Sequence, residues 1–178
     1  MQGSAPVASV AMAEKSLRLS AEDCQDLTVI SACLQDAVTR RSAITYQRAQ
    51  RRFAAVFNRF QWESETAPAA GTASARRHSG TRVRTGIHFE GVLQVQTRGL
   101  QTRQDAVMEL LAIRCEPGAD ATATVILDFA GGGAIRLEVE CIDCYLSDLG
   151  RSWQALRRPT HEQSDEGRGG DDGRGDEN

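Results

Sequence analysis

Residues Thr122–Tyr145 read TATVILDFAGGGAIRLEVECIDCY. Val125, Leu127 and Phe129 alternate with Thr124, Ile126 and Asp128, and beyond Gly131-Gly132-Gly133 the residues Ile135, Leu137, Val139 and Cys141 alternate with Arg136, Glu138 and Glu140. Successive side chains of a strand point to opposite faces, so period two on both sides of a glycine turn predicts an antiparallel hairpin with one buried and one wet face. The alternation directs Cys141 inward with Leu137 and Val139. This hairpin sets the fold class and carries no reaction of its own.

Working toward the N-terminus, Pro117-Gly118-Ala119-Asp120 is a turn, and Ala106–Glu116 precedes it. In that segment Val107, Leu111, Ile113 and Cys115 share one face and Met108, Leu110 and Ala112 the other. A strand apolar on both faces belongs in the middle of a sheet. Arg82–Thr97 repeats the strand pattern, with Gly86 and Gly91 as sites for a bulge or sharp bend. Ala37–Thr39, Ala43–Gln47 and Arg52–Trp62 read as a three-strand meander, turning at Gln47–Gln50. Before it, a helix is expected over Ala21–Gln35, capped by Ser20 through a Ser-x-x-acid pattern and burying Cys24, Leu27, Ile30 and Leu34. Leu146–Trp153 closes the ordered part. Asp36-Ala37-Val38 and Asp105-Ala106-Val107 each open a run of strands, a faint internal echo of one meander by the other.

These elements predict an α+β fold: a mainly antiparallel β roll or small barrel of about seven strands, with one N-terminal covering helix. The expected organisation is a disordered extension over 1–16, a single domain over 17–161 with a mobile loop at 64–80, and a disordered acidic Gly-rich tail over 162–178. The loop and tail lack apolar side chains to offset the entropy of ordering.

The 178 residues carry a net charge of −3 that hides a local excess of positive charge. Between Ala37 and Leu100 eleven arginines face only Glu63, Glu65 and Glu90. Arg40, Arg41, Arg48, Arg51 and Arg52 are the candidate partner-binding residues, a positive face for a protein or other anionic partner. Nucleic acid ranks below protein, because the chain is net acidic and lacks a recognised nucleic-acid signature. The first sixteen residues lack the basic start of a secretory signal, and no apolar run approaches membrane-spanning length. A cytoplasmic protein without membrane contact is expected, with its five cysteines as free thiols; oligomeric state is left open.

Cys141-Ile142-Asp143-Cys144 is the segment that most resembles a chemical motif. Redox pairs of this spacing sit at helix N-termini, and structural zinc needs two further ligands, usually in a second knuckle. Here the pair ends a strand and stands alone, so buried core cysteine is the expectation, and a redox or metal-dependent enzyme using Cys141 and Cys144 is the alternative. The glycine triplet lacks the following Lys and Ser or Thr of a phosphate loop. His88 and Glu90, two apart on a strand, read as solvated neighbours, and no nucleophile has a recognisable motif. Phe53, Phe57 and Phe60, interleaved with Arg51, Arg52 and Arg59, read as core. No catalytic residue, cofactor or metal is expected.

Several blocks together resemble a known family. They are Leu17-Arg18-Leu19, Asp26-Leu27 through Val38, Arg51-Arg52-Phe53, Asn58-Arg59-Phe60-x-Trp62-Glu63, and above all Phe129-Ala130-Gly131-Gly132-Gly133-Ala134-Ile135-Arg136-Leu137-Glu138-Val139-Glu140-Cys141-Ile142. This set is similar to the alphaproteobacterial domain-of-unknown-function family 2948, over about Leu17 to His161. The chain departs from it at Thr39-Arg40-Arg41, where the family pattern is more hydrophobic. The resemblance implies no activity, cofactor or site residue.

Overall fold

The structure, a computed structural model, describes residues 16–62 and 80–155. The expected extension, loop and tail lie outside those residues, apart from Ser16 and Gly80. In chain order the elements are β1 (Arg18–Ala21), α1 (Cys24–Leu34), β2 (Ala37–Arg40), β3 (Ile44–Gln47), β4 (Arg52–Phe60), β5 (Thr81–Phe89), β6 (Val92–Arg98), β7 (Val107–Pro117), β8 (Ala123–Phe129), β9 (Ala134–Val139), β10 (Cys144–Asp148) and β11 (Trp153–Gln154). Single 3-10 turns at Arg41–Ala43 and Arg48–Gln50 flank β3.

Every strand pair is antiparallel. The sheet runs β1-β10-β5-β4-β2-β7-β8-β9-β6, with β3 also on β4 and β11 also on β5. The mainly antiparallel α+β architecture with one helix is as expected. Among the described residues the strand path does not close, and eleven strands replace about seven. β1, β10 and β11 have four, five and two residues, too few to display a period in the sequence. Outward from the central β2–β7 pair run β4, β5, β10 and β1 on one side and β8, β9 and β6 on the other, and the echoing tripeptides sit at opposite ends of that pair, with Ala37 opposite Leu110 and Arg40 opposite Val107.

The hairpin around the glycine triplet is β8–β9, pairing Val125 with Leu137 and Leu127 with Ile135. Gly131 and Gly132 both hold φ of +81°, a region open to glycine and costly for any residue with a Cβ. Inward residues of β4, β5, β7, β8, β9 and β10 form a single apolar core with Leu27, Ile30 and Leu34 of α1. The far end of the sheet is stitched back where Arg51 C=O accepts from Val92 N–H at 2.8 Å and the Tyr46 hydroxyl donates to Val92 C=O at 2.9 Å.

The helix begins later than expected. Asp23 is its cap, accepting from Asp26 N–H at 2.8 Å, while Ser20 and Ala21 pair with Tyr145 and Cys144 in β1. A strand partner from the far end of the chain outweighs the local capping pattern. The helix ends at Leu34, and two residues on Asp36 holds a φ of 58° and donates its N–H to Leu110 C=O at 2.9 Å.

β7 corrects the two-faced reading. A register shift between Leu110 and Ala112 moves the buried set from Met108 and Leu110 to Ile113, leaving Val107 and Leu111 61% and 48% exposed. A bulge flips side chains to the other face, so the double apolar pattern is one buried face in two registers. β2 no longer pairs with β7 beyond the bulge, and α1 takes its place: Ser31 Oγ accepts from Ile113 N–H at 2.8 Å. Cys24 and Cys115 form a disulfide across this contact, 91 residues apart with a Cα separation of 5.4 Å. The expectation that all five cysteines are free thiols is therefore wrong for these two; spacing alone does not reveal connectivity.

Candidate anion-binding cleft

Alternation along four neighbouring strands sends Arg84 of β5, Asn58 of β4, Val38 of β2 and Glu109 of β7 to the outer face. Register lines them up: Asn58 lies opposite Arg84, Val38 opposite Asn58, and Val38 again opposite Glu109. β4 meets β3 along Arg52–Ala55 but β2 only at Asn58. Between these contacts the strands splay, and Thr39 fills part of the gap by donating its hydroxyl to Val56 C=O at 2.7 Å. Over the splay lies a cleft of about 670 Å³ lined by Val38, Thr39, Arg40, Ser42, Ala43, Val56, Asn58, Arg84 and Val107.

Among the described residues the lining holds two arginines and no carboxylate. Neither the Arg40 nor the Arg84 guanidinium has an ion-pair or hydrogen-bond partner among the described residues, whereas most arginines nearby are engaged. Arg51 pairs with Glu140, Arg52 donates to Glu90 at 2.6 Å, and Arg82 donates to Asn58 C=O at 3.1 Å. Of the five sequence-selected arginines, Arg40 and Arg41 lie at the end of β2, while Arg48, Arg51 and Arg52 cluster at the turn into β4. The length of β3, about 13 Å for four strand residues, separates the two groups. Arg84 and Asn58 were missed. The period of β5 places Arg84 on a wet face, but only the register of β4 against both β2 and β5 brings it to the cleft.

Arg59 shows the opposite electrostatics. It lies on the core face of β4 with its side chain 0% exposed, against Asp148 at 1%. Its Nε and Nη2 donate to the two carboxylate oxygens at 2.9 and 2.8 Å, Thr85 Oγ1 donates at 2.6 Å, and Leu17 N–H at 3.0 Å. Burial pushes the Asp148 carboxyl up, but the hydrogen bonds from Arg59, Thr85 and Leu17 and the guanidinium charge outweigh it and hold the group below its ordinary range. This arginine is spent on structure.

The Cys141–Cys144 pair splits. Strand alternation stops at Val139, and the chain turns through hydrogen bonds from Glu140 N–H to Gly91 C=O and from Glu90 N–H to Asp143 C=O, at 3.0 and 2.9 Å. Cys141 is consequently exposed rather than inward, and Cys144 is the buried one. Burial, and secondarily the Asp143 charge, push the Cys144 thiol far up, so it stays protonated at neutral pH and is a poor nucleophile or ligand. Among the described residues no group of three or more His, Cys, Asp or Glu could hold a metal ion. His88 lies 3.7 Å from Glu90 and stacks on Tyr145 with ring centroids 5.1 Å apart. The Asp143 charge raises the Tyr145 hydroxyl. No helix among the described residues is long and apolar enough to cross a membrane.

The model of one protein family, described as "Protein of unknown function (DUF2948)", matches residues 17–161. The chain belongs to this family. The match covers every described strand and the described helix, so the residues that line the cleft lie within the family domain. Comparison with the curated proteins and with the solved structures gave no match.

Proposed function

We propose that this DUF2948 domain is a small non-enzymatic binding module that holds an anionic group of a protein partner in the β2–β4 cleft. The observation that carries the reading is the pair Arg40 and Arg84, unpartnered among the described residues, in a lining without a carboxylate. Guanidinium forks suit carboxylate and phosphate oxygens bidentately, and Asn58 and Ser42 add hydrogen-bonding groups beside them. Val38, Val56 and Val107 supply apolar wall, as a ligand site requires. A protein partner is favoured over nucleic acid because no aromatic side chain lines the cleft to stack a base.

Titration of the full chain with N-acetylated triglutamate tests the reading. Binding should weaken as salt rises, and Arg40→Ala with Arg84→Ala should reduce it about tenfold or more, the scale of one lost charge-assisted hydrogen bond. Equal binding by wild type and double variant would remove the cleft from consideration.

A further inference from the structure

The cleft does not stop at β2. A second hollow of about 270 Å³ lies over β7 and the β8–β9 turn, and Val38 and Val107 line both. The two hollows adjoin across these valines, with Arg84 at one end, Glu109 toward the other, and Arg40 between them on β2, opposite Val107. Its middle is aliphatic, with Val107 61% exposed. The register Arg84–Asn58–Val38–Glu109 spans three inter-strand steps, about 14 Å at 4.8 Å each. An extended chain advances about 3.4 Å per residue, so about four residues cover that distance.

Resting on the anion-binding reading above, the geometry points to an extended peptide of mixed charge as the occupant. An acidic residue sits at Arg84, aliphatic side chains lie over Val38 and Val107 beside Arg40, and a Lys or Arg about four residues away meets Glu109. Charge complementarity selects this occupant. A polyanion would be drawn to the arginine end and repelled at Glu109. The groove crosses the strands instead of following an edge, so recognition works through side chains and not by adding a strand.

The test uses fluorescence anisotropy with the full chain and three dye-labelled, end-blocked peptides: Asp-Val-Ala-Val-Lys, Asp-Val-Ala-Val-Ala and Asp-Val-Ala-Val-Asp. The first should bind best, ahead of the third by about fivefold or more, the scale of one satisfied against one repelled charge near a surface. Glu109→Lys should reverse that order, and Arg40→Ala with Arg84→Ala should weaken all three. All substituted positions are exposed or line open clefts, and an unchanged thermal midpoint confirms that each variant folds. If the double arginine variant loses binding while Glu109→Lys leaves the order unchanged, the mixed-charge peptide is overturned and the anion site survives. If no peptide and no acetylated triglutamate binds, both fall. Preferential capture of a single-stranded oligonucleotide over all three peptides would also overturn the peptide.

Discussion

Asp148 shows how one carboxylate governs the end of the core. Removing one member of a fully buried ion pair leaves the other uncompensated, at a cost of about 3–5 kcal/mol. Asp148→Asn and Arg59→Met should each lower stability on that scale in urea denaturation, whereas replacing both with apolar residues should cost much less than the sum. The pH dependence has a definite sign. The folded-state pKa of Asp148 lies below its unfolded value near 3.9, so its contribution is complete above about pH 4 and fades as pH falls through the folded value. Wild type should therefore lose stability more steeply below about pH 4 than Asp148→Asn does; parallel acid curves would contradict this. None of it was legible in the sequence. Arg59 continues the alternation of Phe53, Ala55 and Phe57, so it occupies a core position, and the partner that makes this tolerable lies 89 positions away.

Helix α1 is held in three ways: by the Leu27–Ile30–Leu34 stripe, by Ser31 on the bulged strand, and by the disulfide. The stripe was readable because it needs only spacing. The bulge and the disulfide were not, since both depend on which segment lies opposite. Closing a loop of 91 residues stabilises a fold by about 2–5 kcal/mol. Dithiothreitol should thus lower the thermal midpoint of wild type and leave that of the Cys24→Ser, Cys115→Ser double variant unchanged; a wild type indifferent to reductant would count against the bond. Ser31→Ala strips Ile113 N–H of its acceptor and should cost about 1–3 kcal/mol, measured in the same melts. The cleft was half legible in the same sense. Arg40 stood out in a basic run, while Arg84 and Asn58 needed the pairing of β5, β4 and β2.

At the scale of the whole molecule, the first described strand is completed by nearly the last: β1 lies on β10, with Arg18 opposite Ser147. A chain ending at Val139 loses β10 and with it the partner of both β1 and one edge of β5. It should show no cooperative unfolding transition, whereas a chain ending at His161 keeps every described strand and should unfold in one step; calorimetry distinguishes them. Leu17 and Asp148, joined by a hydrogen bond, are 131 residues apart. Translation at about 5–20 residues per second puts roughly 7–26 s between the synthesis of one and the other. Until β10 is made, the growing polypeptide carries β1 without the strand that will pair with it. Its exposure to chaperones and proteases is consequently set by the ribosome's pace, and a pause before codon 144 would lengthen it directly.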